Sequence, residues 1–260
     1  MTAILRTESR AILRSTVLLA GLLFVISLFI LSVFPGIRDE AEALEGALPE
    51  YMIGILGFEE LATIEGFTAG WMFPFFWVLL IGLFFAYSTA SMISDDVRHR
   101  RMDLTLSNPV SRESVVLQKY AALWVPLVVL NAVLFVILVL GSTILDETID
   151  IGGLVMAQLL AVPYLLVCGA IGLVLSVVTD RVNSAQAVAI GIVFVLWLLE
   201  GVAELEPDYE PLAWFTPSWY YDPTAVLVRG EYAFDDAAIL LGAAAVLVAV
   251  AIVIFVRRDI

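Results

Sequence analysis

Six stretches of about 20 or more mostly apolar residues run through this chain, at roughly 15–34, 71–93, 120–142, 153–178, 185–203 and 236–256. A helix needs about 20 such residues to cross a hydrocarbon layer about 30 Å thick, so each stretch reads as a transmembrane helix. The composition points the same way: 62% of the 260 residues are hydrophobic and 15% charged, against about half and about a quarter in soluble domains. The expected fold is an all-α integral membrane protein with six transmembrane helices in a single domain covering residues 1–260. Ser15 to Phe34 outruns the roughly 7–15 residue core of a cleaved signal peptide, so a retained first helix is expected.

Basic residues collect on the cytoplasmic side of membrane proteins. With an even number of spans and the N-terminus inside, Arg6, Arg10, Arg14, Arg98, Arg100, Arg101, Arg112, Lys119, Arg181, Arg257 and Arg258 all fall on the cytoplasmic side. Only Arg38 and Arg229 fall outside. Both termini are therefore expected in the cytoplasm of a multi-pass protein of the plasma membrane. An odd span count would scramble the alternation.

Two outer segments exceed simple turns. Residues 35–70 contain an amphipathic stretch, "EALEGALPEYMIGILGFEEL", broken by Pro49, and are expected to lie along the membrane surface as two short helices. Residues 204–235 gather Trp214, Phe215, Trp219, Tyr220 and Tyr221, for which anchoring in the headgroup zone is expected. Pro126 and Pro163 fall inside spans as possible kinks. Ala238 with Gly242, and Ala245 with Ala249, would let the last helix approach another closely. Cys168 stands alone in an apolar run and reads as a small buried hydrophobe.

Several chemistries are excluded. The span centres carry no ionisable residue, Glu200 lying near the outer end of the fifth, which argues against an ion-coupled carrier. Asn131 and Gln158 are mid-span polar groups expected to hydrogen-bond between helices. His99 is the only histidine, so no paired-histidine metal site forms, and no metal or catalytic residue is assigned. Nor is there a Gly-x-x-x-x-Gly-Lys-Ser/Thr phosphate loop: the one lysine, Lys119, sits in "VLQKYAAL". This chain is expected to bind no cofactor and to have no enzymatic activity of its own. The net charge of −14 makes nucleic acid an unfavourable partner, and so acidic and lysine-poor a balance points to a halophilic source.

The segment joining spans two and three, "SDDVRHRRMDLTLSNPVSRESVVLQKY", is the most informative. Asp95 and Asp96 can open a short helix, Asn108 and Pro109 break it, and Ser111 can cap a second helix with Glu113 in its first turn. The expected unit is a helix, a break and a helix at the cytoplasmic face.

This segment resembles the coupling region of ABC-2-type ABC transporter permeases, in which an acidic and basic helix leads to a leucine-rich "lls-P-v-s-R" stretch and then a lysine. Asp95, Arg101, Leu104, Leu106, Ser107, Pro109, Val110, Ser111, Arg112 and Lys119 occupy those positions, while Arg101 and Met102 stand where many members have Gly-Thr. The "LPEYMIGILGF" and "IEGF" of the outer loop extend the likeness, which is closest to the multidrug and NosY-like branch. The resemblance implies a permease subunit paired with a second permease copy or paralogue and driven by separate ABC ATPase subunits, which use ATP. It implies a coupling role for Asp95, Arg101, Leu104, Leu106, Pro109, Ser111, Arg112 and Lys119, with the Arg112 fork offered to a carboxylate or carbonyls of the ATPase. Two other readings stay open: a non-transporting membrane assembly or sensory protein on the same scaffold, and a secondary carrier or membrane enzyme.

Overall fold

The computed structural model describes residues 3–47, 60–205 and 207–258, with the side chains of 42–47, 204, 205 and 207 left aside. The expected outer amphipathic stretch around Pro49 falls largely outside the described residues. Those described are helical, without a strand, and contain six helices long and apolar enough to cross a membrane.

Helix α1, Ala3–Ala47, is one continuous rod of 45 residues that passes through Pro35. At about 1.5 Å per residue it is roughly 68 Å long and outruns the bilayer at both ends. The helix therefore continues on both sides of the apolar run 15–34. One proline removes a single helical hydrogen bond, which a long helix tolerates. Ile12, Thr16, Ala20, Leu23, Ser27, Ile30, Leu31 and Phe34 are buried at helical spacing, while Leu18, Val25 and Phe29 face outward. The buried face packs on α7.

The second span is composite: α2 (Ile64–Trp71), a π-helical stretch (Phe73–Ile81) and α3 (Gly82–Met92). Thr63 caps α2 by accepting from the Gly66 N–H at 3.1 Å. Pro74 brings no N–H to the ladder, and the Met72 carbonyl accepts from both Phe76 (3.0 Å) and Trp77 (3.2 Å), opening the wider turn.

Short helices α4 (Ser94–Arg98) and α5 (Arg101–Leu106) follow, then α6 (Arg112–Ala121) and α7 (Trp124–Ile144), which together make the third span. Pro126 lies just past a tightened turn in this span: it brings no N–H for the Ala122 carbonyl four residues earlier, and Ala122, Leu123 and Val125 bond three residues back while the backbone of Ala122 and Leu123 stays right-handed helical. Helix α8 (Ile151–Val178) instead runs unbroken through Pro163.

α8 is the hub of the bundle. Its apolar window is 67% buried, against 17% for α9 (Val182–Leu205). Asp150 caps it through the N–H groups of Gly152 and Gly153, each at 2.9 Å. α3 lies against α8 so closely that a methyl group on Gly172 would overlap the Ala86 carbonyl. There the Thr89 hydroxyl donates to the Gly169 carbonyl at 2.7 Å. The Ser176 hydroxyl accepts from Ile93 (2.8 Å) and Ser94 (3.1 Å), so α8 pins the bend between α3 and α4. Gln158 donates to the Asn131 backbone carbonyl at 3.1 Å, an interhelical bond of the expected kind, whereas the Asn131 side chain donates to Leu127 of its own helix at 2.7 Å.

Short helices α10 (Glu210–Ala213) and α11 (Pro223–Leu227) precede the last span, α12 (Phe234–Arg257). Trp214 and Phe215 are exposed, as an interfacial role requires, but Tyr221 is buried and donates to the Ala157 carbonyl at 3.0 Å. Burial pushes that phenol well above its ordinary pKa. α12 packs on α8 through Leu240, Ala244, Val248, Ala251 and Phe255. Ala238, Gly242, Ala245 and Ala249 are exposed, so the small-residue face is not the one used within the chain.

Candidate functional site: the loop between the second and third spans

The loop has a buried root and an exposed tip. Met102, Val115 and Val116 are fully buried against Ala170, Leu173, Val177 and Phe255, which fixes α5 and α6 to the ends of α8 and α12. Arg100 makes the turn between α4 and α5 with a left-handed backbone, φ 56°. The turn therefore precedes Arg101 and Met102, the positions where the resembled pattern has Gly-Thr. Past α5, Asn108 donates to the Leu104 carbonyl at 2.9 Å, and Val110 N–H closes a tight turn over Pro109 onto the Asn108 carbonyl at 2.7 Å. Ser111 caps α6 by accepting from Ser114 N–H at 3.2 Å.

Lys119 sits at the root, 1% exposed. Its ammonium contacts Asp96 at 2.7 Å and the Met92 carbonyl at 2.8 Å, and it pairs with Glu8 of α1. Asp96 shares itself: one carboxylate oxygen meets Lys119 and the other meets Arg101 Nε at 2.8 Å. Arg101 also pairs with Asp95, which holds His99 at 3.1 Å. Desolvation works against the Arg101 charge, but the carboxylates of Asp96 and Asp95 outweigh it and raise its pKa. A buried ammonium is tolerated only when paired and hydrogen-bonded. This one has two carboxylates and a carbonyl, drawn from α1, α4 and the end of α3.

Arg112 lies apart from this network. It donates to the carbonyls of Phe255 (3.2 Å), Val256 (3.3 Å) and Arg258, at the end of α12, and its guanidinium lies 5.9 Å from the Phe255 ring centroid. Arg258 in turn donates to the Val177 carbonyl at 2.8 Å and pairs with Asp180. One nitrogen of the guanidinium, Nη1, makes all three contacts and so engages carbonyls of a helix end within the chain.

Of the residues singled out in the sequence, Asp95, Arg101 and Lys119 come together, Leu106 packs beside the buried root, and Ser111 and Pro109 shape the entry to α6. Leu104 projects from α5, 71% exposed. Glu8 was not singled out, and Asp96 only as a residue that opens a short helix. Asp96 was signalled by its place beside Asp95, and both by the need of the chain's single lysine for counter-charges. Beside the network a cavity of about 750 Å³ opens between α1 and the elements α3 to α5, with Thr7, Ser15, Ser88 and Ser91 in its lining. Among the described residues no three His, Cys, Asp or Glu side chains are grouped to hold a metal ion.

The sequence profile described as ABC-2 family transporter protein matches residues 2–260, essentially the whole chain. The chain belongs to this family. No curated protein matches it. Membership and the six apolar helices together make it a multi-pass membrane protein and a membrane component of a transporter.

Proposed function

We propose that the chain is the membrane-spanning permease subunit of an ATP-binding cassette transporter, driven by separate ATPase subunits that dock on the loop 94–119. The observation that carries this reading is Leu104, a large apolar side chain left 71% exposed on a short helix whose root is clamped by the buried Lys119 cluster. A solvent-facing leucine on a rigid support suits an apolar anchor for a partner's pocket. Arg98 and Arg100, both exposed beside it, supply polar contacts around the rim. Export and a second permease copy or paralogue are what the resemblance to ABC-2-type permeases implies, while the cytoplasmic placement of the loop and both termini in the plasma membrane rests on the distribution of basic residues. The halophilic source rests on the acidic, lysine-poor composition.

The test is co-expression with a candidate ABC ATPase and purification in mild detergent. Leu104→Glu should leave the amount of chain in the membrane unchanged and lower ATPase recovery at least about tenfold, the size of a modest hot spot. Unchanged recovery removes α5 as the docking element. Labelling of a cysteine placed at 104 by an impermeant reagent on intact cells refutes the cytoplasmic assignment.

A further inference from the structure

We infer that the start of α1 is a binding site for anionic phospholipid headgroups, formed by Arg6, Arg10 and Arg14. At about 100° per residue, the four-residue spacing sets the three guanidinium groups on one side of the helix, roughly 6 Å apart along its axis. All three are exposed, and among the described residues none forms an ion pair or a side-chain hydrogen bond within the chain. The opposite side, carrying Glu8 and Ile12, is the one packed on the rest of the protein. The row is therefore held outward by a helix clipped at Glu8.

Depth argues for lipid. The apolar run begins at Ser15, so Arg14 stands at the edge of the hydrocarbon, with Arg10 and Arg6 about 6 and 12 Å beyond it along the axis. The headgroup layer is about 5–8 Å thick on each side. Arg14 and Arg10 fall within it, and Arg6 lies about 4–7 Å beyond it, a gap that a long arginine side chain bridges. Below the arginines the same side continues with exposed Leu13 (41%) and Val17 (55%), which suit acyl chains. The first turn holds no acidic residue to complement its N–H groups, while Arg6 adds positive charge at the positive end of a 45-residue helix. That arrangement is unfavourable until an anion covers it. A phosphodiester bearing a net negative charge provides one, and the guanidinium fork matches its two free oxygens. This site does not depend on the proposed ATPase.

The full chain, purified in a neutral detergent and mixed with equal amounts of phosphatidylglycerol and phosphatidylcholine of matched acyl chains, is read by native mass spectrometry. The expected result is preferential retention of phosphatidylglycerol. The triple variant Arg6→Gln, Arg10→Gln, Arg14→Gln should lose that preference by roughly tenfold or more, and Arg10→Gln alone by roughly threefold to fivefold. The control Arg98→Gln with Arg100→Gln should keep it. Should the triple variant not fold, the single variant decides. Soluble glycerol phosphate should fail to displace the lipid; its displacing it would reassign the site to free phosphate and overturn the inference. Equal retention of both lipids by the unaltered chain, or an equal loss in the control, overturns it as well.

Discussion

Arg112 grips Phe255 in two ways, donating to its backbone carbonyl at 3.2 Å and lying 5.9 Å from the centroid of its ring. The arrangement ties the first turn of α6 to the last turn of α12. Losing donors that satisfy helix-end carbonyls costs about 1–3 kcal/mol. Arg112→Ala should therefore lower the thermal midpoint in detergent and speed proteolysis at Arg257 and Arg258, with Arg112→Lys recovering only part because an ammonium does not stack on the Phe255 ring as a planar guanidinium does. An alanine variant with unchanged stability and unchanged cleavage would mean that the contact carries no weight.

Lys119 makes a harsher test. Replacing it with methionine keeps much of the volume and strands Glu8 and Asp96, and breaking a buried pair from one side costs about 3–5 kcal/mol. Asp96 keeps Arg101, so the lower end of that range is expected. Glu8→Gln, which leaves Asp96 and the Met92 carbonyl on the ammonium, should cost clearly less. Thermal unfolding of both variants checks the order, and a Glu8 variant worse than the lysine variant would contradict the geometry.

Arg100 adopts φ 56° without being glycine. Such a conformation costs a non-glycine residue about 1 kcal/mol or more, which glycine avoids. Arg100→Gly should leave stability unchanged or raise it by up to about 1 kcal/mol. Arg98→Gly, two residues earlier in helix α4, should lower it by up to about 1 kcal/mol. Melting curves that rank the two variants the other way would refute the turn.

Gly172→Ala should destabilise by about 1–3 kcal/mol or more, because the obstacle is the Ala86 backbone carbonyl and cannot rotate aside. Gly191→Ala, where the added carbon meets nothing within 4 Å, should be neutral or favourable through helix propensity. Detergent melting of the pair isolates the close approach of α3 and α8.

Much of the fold was legible because it is written locally. Runs of apolar residues locate the spans, and Ser111, Asp95 and Pro109 mark where short helices begin and break. What escaped the sequence is non-local. Lys119 lies 111 residues from Glu8, and Arg112 lies 143 from Phe255; no spacing rule connects them. Proline was ambiguous as well. Pro35 and Pro163 are carried inside α-helices, whereas Pro126 follows a tightened turn between two of them. Likewise the small residues of α12 advertised a close contact that the chain itself makes on a different face, through Ala244 and Ala251.

The dependence of Arg112 on carbonyls at the far end of the chain also fixes an order of events during synthesis. α6 emerges from the ribosome long before Phe255, Val256 and Arg258 exist, so its first turn must wait for its acceptors until α12 has been made. The Glu8 clip, by contrast, is available as soon as Lys119 appears. The loop is thus secured to α1 first and to α12 only once that helix has been made, and a nascent chain arrested before α12 would carry the loop with one of its two fastenings missing.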